Sequence, residues 1–387
     1  MRKFIAAAAT AAAIALGLPA AAQEPPKDPE VYRFGAILAM SGKGDWYGKV
    51  MSRAIILAVD EINAAGGVDG IPLEVVIEDH KSGVAKEGVS AINRLINISG
   101  VEAVMTSFSP PTQAIAPIAD EQGILVLNGG GTSMALLGLT DMMFHNRTLA
   151  SDLAIAAAMR AEELGLGDMS QLVWKNDAGE SMMAAADPFW ESKGKKILAT
   201  EYMEIGASNI DTQVAKLRAS NPDWVALWLF SPETGLAIKK IREFGITAPL
   251  VGIEYTADVK ELAGAAAEGY EYATDFFAPS AENPWSERFA KAYEERWGEA
   301  PEFYAANYYE NVYVLAEAIR RARAKGGDYW DGRKLAEAIR ENPTFPSVYS
   351  TEMTYQDNNV ALKQVGVFRI ENGEQKFIEF IDLNAAK

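Results

Sequence analysis

The chain has 387 residues, 49% of them hydrophobic and 23% charged, with a net charge of −17 and no cysteine. That length exceeds one compact core and predicts two lobes, and the composition excludes a chain dominated by disorder. Without cysteine there is no disulfide, no thiolate metal site and no cysteine-linked lipid anchor. The acidity also disfavours nucleic acid and anionic lipid as partners.

The first residues read as a signal peptide: Arg2 and Lys3 are followed by an apolar, alanine-rich stretch over 4–18 and by the small residues Ala20, Ala21 and Ala22. Cleavage is expected after Ala22. The apolar run is too short for a membrane anchor, which needs about twenty residues. The mature chain, more acidic still, is expected free in the periplasm. Residues 23–30 (QEPPKDPE) form a polar, proline-rich lead-in.

An alternation of strands and helices then begins. An apolar run over 31–39 predicts a strand. A helix is predicted over 46–65, with Ile55, Val59 and Ile62 at helical spacing and Gly66-Gly67 ending it. Strands follow over 73–78, 101–106 and 124–127, with helices over 84–98 and 110–121. The rhythm restarts near Ser151, with helices over 152–164, 181–192, 210–219 and 232–244. The strands of this second unit fall at 172–174, 196–203, 224–230, 250–253 and 269–274. Two α/β units with parallel sheets flanked by helices are therefore expected, with a ligand cleft where the sheets present their carboxyl ends. The tail differs: helices over 284–297, 303–325 and 332–341, then strands over 352–355, 365–370 and 377–381, with Asn372-Gly373 as a hairpin turn.

Several segments together resemble a known family: GAILAMSGKGDWYG (35–48), LAVDEINAAGGVDGIPLEVVIED (57–79), RTLASD (147–152), NPDWVALW (221–228), REFGITAPLVG (242–252) and ENGEQKF (371–377). The chain is similar to the type I periplasmic binding proteins of branched-chain amino acid transport. The resemblance implies two Rossmann-like lobes joined by three crossings, near 149–152, 275–278 and 352–355. The N-lobe would be 31–150 with 276–353, and the C-lobe 151–275 with 354–387. It also implies a small-molecule ligand, an inner-membrane ABC permease with its ATPase as partners, and a monomer. No cofactor and no metal are expected.

The same resemblance implies the ligand residues. Ser109 and Thr132 match the serine and threonine that hold a ligand carboxylate. Ser109 precedes a helix whose N–H groups attract an anion; the alternative is a plain N-cap. Gly130, in a glycine triplet over 129–131, lets backbone approach a ligand, or is only a flexible loop residue. Glu254 matches the glutamate that receives an ammonium group, against the default of a solvated loop carboxylate. Trp46 and Tyr47 in the first loop, Tyr255 beside Glu254, and Phe230 at a strand end would supply apolar contact. Ala178 departs from the family's tyrosine and enlarges or reshapes the pocket. Asp152 caps a helix or orients the hinge.

Catalysis is not expected. The only histidines are His80 and His145. Glu78, Asp79 and His80 alternate across a strand and cannot converge on a metal. Neither a zinc-protease helix motif nor a nucleophile elbow is present. The expected function is therefore capture of an amino acid or amino-acid-like compound for an ABC importer by clamshell closure. Import of an aromatic carboxylate and a ligand-sensing receptor of the same fold are the alternatives.

Overall fold

A computed structural model describes residues 28–383. The expected signal peptide lies outside them, as do the last residues of the expected C-lobe.

The first lobe opens with β1 (Tyr32–Leu38) and α1 (Asp45–Ala64), then β2 (Leu73–Asp79), α2 (Ala85–Arg94), β3 (Ala103–Thr106), α3 (Ser109–Gln122), β4 (Leu125–Asn128) and β5 (Met143–His145). Its sheet runs β2-β1-β3-β4-β5, and every pairing in it is parallel. On α1, Ile55, Ala58, Val59 and Ile62 are buried, as their helical spacing predicts. The helix stops where Gly66 and Gly67 take positive φ of 102° and 77°. A Cβ on Gly67 would lie 2.3 Å from the Ile71 carbonyl oxygen, so only glycine fits that turn. The helix expected over 84–98 ends earlier as α-helix, in a wider π-type turn at Leu95–Ser99 that closes on Gly100 at φ 66°.

The second lobe carries α4 (Ala150–Glu163), β6 (Met169–Trp174), α5 (Asp177–Ser192), β7 (Ile197–Met203), α6 (Asp211–Ser220), β8 (Trp224–Trp228), α7 (Glu233–Glu243), β9 (Leu250–Ile253), α8 (Ala257–Ala263) and β10 (Glu271–Asp275). The chain then returns to the first lobe with α9 (Pro284–Trp297), α10 (Phe303–Lys325) and α11 (Gly332–Glu341). The short pair β11 (Thr344–Pro346) and β12 (Glu352–Thr354) follows, before the chain crosses back to add β13 (Val365–Glu371) and β14 (Glu374–Ile381). The second sheet has the order β14-β13-β10-β9-β8-β6-β7. Its central strands are parallel, but β13 and β14 join antiparallel, as a hairpin with Asn372 and Gly373 at φ 55° and 76° in its turn.

Each sheet has its own core. The first unites β1 and α1 with Phe289, Tyr308, Leu315 and Ile339 from the late helices, and still includes Tyr355 and Ala361. The chain therefore leaves the first core later than residue 353, the expected end of the N-lobe. The second core unites α4 and β6 with Val365, Val367 and Ile370. Both lobes are assembled from segments far apart in sequence.

Candidate functional site

The lobes meet over a cleft of about 370 Å³, counting its mouth. From the first lobe it is lined by Tyr47 and Met51 of α1, by Phe108, Ser109 and Pro110 at the start of α3, by Gly130 and Thr132 after β4, and by Tyr304 of α10. From the second come Trp174, Asn176 and Ala178 between β6 and α5, and Phe230 after β8. Among the expected residues, Tyr47, Ser109, Gly130, Thr132, Ala178 and Phe230 are thus brought together, whereas Trp46, Glu254 and Tyr255 are not among the lining side chains.

Ser109 does not cap α3. The cap position is Phe108, which makes no side-chain cap bond. Instead Ser109 Oγ accepts from the Thr132 and Ser133 backbone N–H groups, each at 3.1 Å, tying the two loops together. With its lone pairs engaged, the hydroxyl has its proton left to donate. Pro110 and Pro111 carry no N–H, so the first turn of α3 offers fewer donors to an anion than a helix start usually does. The glycine triplet is clamped by Asn128, whose Oδ1 accepts from Gly130 N at 3.2 Å and Gly131 N at 2.7 Å. A Cβ on Gly130 would press on Tyr308, Met51 and Ser107, so its smallness serves packing.

On the opposite wall, Asn176 caps α5: its Oδ1 accepts from Ala178 N at 3.1 Å and Gly179 N at 3.0 Å. The acceptor atom is used, which leaves its amide N–H groups as donors. A Cβ on Gly179 would lie 1.9 Å from the Trp174 carbonyl oxygen, and this close approach sets α5 directly behind the end of β6. Trp174 and Phe230 pack with ring centroids 5.1 Å apart, while Tyr47 meets Phe108 edge-on at 5.4 Å and Tyr304 at 4.9 Å.

Glu254 is fully buried behind this lining. Its Oε1 accepts from Tyr47 Oη at 2.8 Å and from Ser231 N at 3.1 Å; its Oε2 accepts from Tyr304 Oη at 2.9 Å and from Arg147 Nη2 at 3.4 Å. The expected open carboxylate is therefore already engaged within the protein, because two tyrosines of the first lobe reach it across the junction. Burial, reinforced by Glu254, pushes the Tyr47 phenol well above its ordinary pKa, so it stays a donor. Tyr304 is pushed up likewise, mainly by burial, with Arg147 opposing.

Arg147, in the RTLASD segment, is the charge that sequence reading missed. Burial works against its guanidinium, but Tyr304, Glu254 and Asp275 outweigh this and hold it above its usual value. It lies over the Tyr304 and Phe303 rings at 4.3 and 5.0 Å. Tyr255 turns the other way into the second core and stacks on Tyr272 at 5.8 Å. The turn at Glu254 takes φ 45°, which separates the two side chains. Trp46 faces a shallow outer depression with Asp45, Lys49 and Asp258. Asp152 lies in the first turn of α4 but is not its cap, which is Leu149. Phe108, like Glu254, is a non-glycine residue at positive φ (61°), so each lobe holds one strained residue at the junction.

Further contacts join the lobes beside the cleft. Lys43 donates to the Gly206 carbonyl, Met134 N to Ser181 Oγ at 3.3 Å, and Ala257 N to Glu302 Oε1 at 3.2 Å. Among the described residues, no group of three or more His, Asp or Glu side chains could hold a metal, and no helix is long and apolar enough to cross a membrane.

Two α/β lobes closing over a small donor- and aromatic-lined cleft define a two-lobed binding protein. The chain belongs to the periplasmic binding protein family, whose model matches residues 31–375. It is 26% identical over 304 residues to a leucine-, isoleucine-, valine-, threonine- and alanine-binding protein of Pseudomonas aeruginosa, covering 76% of this chain and 78% of that one. Its fold matches a leucine-binding protein of Thermotoga maritima with a TM-score of 0.83 at 24% identity, over 92% of this chain and 100% of that one. It also matches an ABC-transporter solute-binding protein of R. palustris in complex with benzoate, with a TM-score of 0.81 at 18% identity, over 90% and 96% of the two chains.

Proposed function

We propose that this chain is the extracytoplasmic receptor of an ABC importer, capturing a small carboxylate, an amino acid or amino-acid-like molecule, by closure of its two lobes. The observation that carries this reading is Ser109. Its acceptor capacity is taken by two backbone N–H groups, so its hydroxyl is set to donate to a ligand carboxylate, with the Thr132 side chain beside it in the cleft. Relatives that bind leucine, isoleucine and valine support the same class.

In this reading, residues 1–22 direct export and are removed, and the mature chain works as a monomer in the periplasm without enzymatic activity. The two lobes hinge about the three crossings, and the closed form is what an inner-membrane permease and its ATPase recognise.

The test is a thermal-shift and calorimetric screen of residues 23–387 with amino acids and small carboxylates. A ligand at a hundredfold excess over its Kd stabilises a fold by about 2.7 kcal/mol. Ser109→Ala and Thr132→Val should each weaken binding of the ligand found. A chain that binds nothing in the panel, and carries no small molecule by native mass spectrometry, overturns the proposal.

A further inference from the structure

We infer that the preferred ligand is an aromatic monocarboxylate lacking an ammonium group. This rests on reading the cleft as a carboxylate-capturing site and names the chemical class that the site selects. Among the described residues, no ionised side chain lines the cleft. An α-amino acid is a zwitterion, and burying its ammonium without a counter-charge carries a penalty of several kcal/mol.

The carboxylate best placed to balance an ammonium is Glu254, and it is spent. Both oxygens are hydrogen-bonded, two of the donors being the Tyr47 and Tyr304 hydroxyls, and its charge faces the Arg147 guanidinium. An incoming ammonium would have to displace a tyrosine hydroxyl that is itself part of the cleft wall. It would also compete with a cation held in place by Tyr304, Glu254 and Asp275.

What the cleft does offer is donors. Ser109 and Asn176 line it from the two lobes, and each has its acceptor atoms used by backbone N–H groups. A carboxylate satisfies them; a ligand ammonium finds no acceptor of opposite charge free. The remaining wall is aromatic: Tyr47, Phe108, Trp174, Phe230 and Tyr304. Ala178, 3% exposed, keeps the second-lobe side thin. Flat rings around a small side chain suit a ring-bearing acid by stacked and edge-on contact.

The experiment compares two ligands of one skeleton, 3-phenylpropanoate and L-phenylalanine, with benzoate and L-leucine beside them, by calorimetry on residues 23–387 at pH 7.5. The inference expects an aromatic acid without the ammonium to bind at least about tenfold tighter than either amino acid, a difference of about 1.4 kcal/mol. Tighter binding of phenylalanine or leucine overturns it while the capture reading stands, since the carboxylate is common to all four. If Thr132→Val and Ser109→Ala, shown folded by circular dichroism, leave binding of the preferred ligand unchanged, the carboxylate is held elsewhere and the capture geometry fails as well. Binding of none of the four, nor of any other small carboxylate, overturns both.

Discussion

Tyr47, on the first lobe, donates a 2.8 Å hydrogen bond to Glu254 on the second, and its oxygen also accepts from Ser231 N at 2.9 Å. One phenol therefore bridges the junction in both directions. A hydrogen bond to a charged group is worth about 1.5–3 kcal/mol, and this one forms only when the lobes are together. Tyr47→Phe should accordingly shift the ligand-free protein toward an open form. Small-angle scattering should give a larger radius of gyration, and ligand affinity should fall by about tenfold or more. An unchanged radius and affinity would show that Tyr47 contributes only its ring.

Glu302 joins the lobes beside the cleft through Ala257 N, and its pKa is pushed up to about 8. Burial is the main cause; the Ala257 bond lowers it, and Glu254, Asp258 and Glu299 raise it further. A carboxyl raised above its unfolded value near 4.5 holds more protons folded than unfolded. Stability from this group is thus present at low pH and is lost as pH rises from about 4.5 through about 8. Glu302→Gln should flatten that part of the Tm–pH curve and raise Tm at pH 8.5. A variant that tracks the parent across the range would contradict the assignment.

His145 gives the opposite slope. It is buried, its Nδ1 lies 2.9 Å from Asn128 Nδ2, and burial lowers its pKa to about 4. A histidine depressed below its unfolded value near 6.5 contributes stability above that value, lost as pH falls from about 6.5 through about 4. Because Asn128 clamps the glycine turn that leads to Thr132, a protonated His145 can no longer accept from it. Acid should therefore weaken ligand binding as well as lower Tm. His145→Gln should reduce both losses between pH 6.5 and 4.5, measured by calorimetry and thermal melts. His80 is also held near 4 by burial and keeps its own share of the acid loss.

Gly48 follows Tyr47 directly, and a Cβ there would lie 2.0 Å from the Ala39 carbonyl oxygen. The obstacle is backbone, so α1 must shift away from the end of β1 to admit a methyl group. Gly48→Ala should destabilise by about 1–3 kcal/mol, the usual range for overpacking, and should weaken ligand binding by moving the Tyr47 hydroxyl. Gly70→Ala, where a Cβ meets nothing within 4 Å, is the control for added bulk; its positive φ of 90° costs stability locally without reaching the cleft.

Much of this architecture was legible because its punctuation is local. Helix α9 starts where Asn283 caps it and Pro284 opens it, and ends at Gly298, so both bounds are readable from the residues alone. The hairpin at Asn372-Gly373 announces itself the same way. The strands β5 and β11 and the helix α8 are too short to show a period and went unread. At the site, Asn176 carries a readable signal as a capping residue before a helix, but Tyr304 reaches the cleft from α10, far along the chain, and only tertiary structure brings it there. Arg147 and Glu254 were obscured for a related reason. Sequence treats charge as surface by default, whereas here a buried guanidinium lies between two buried carboxylates, Glu254 and Asp275, under aromatic rings.

The interleaving of the lobes bears on how the chain comes to be folded. The first core waits for α9 through α11 and for Tyr355 and Ala361. The second waits for β13, which is flanked by β10 on one side and by the last strand on the other. Neither half can be finished while the chain is still being made. A polypeptide that emerges in this order stays open until almost all of it is present, a property suited to the export proposed above.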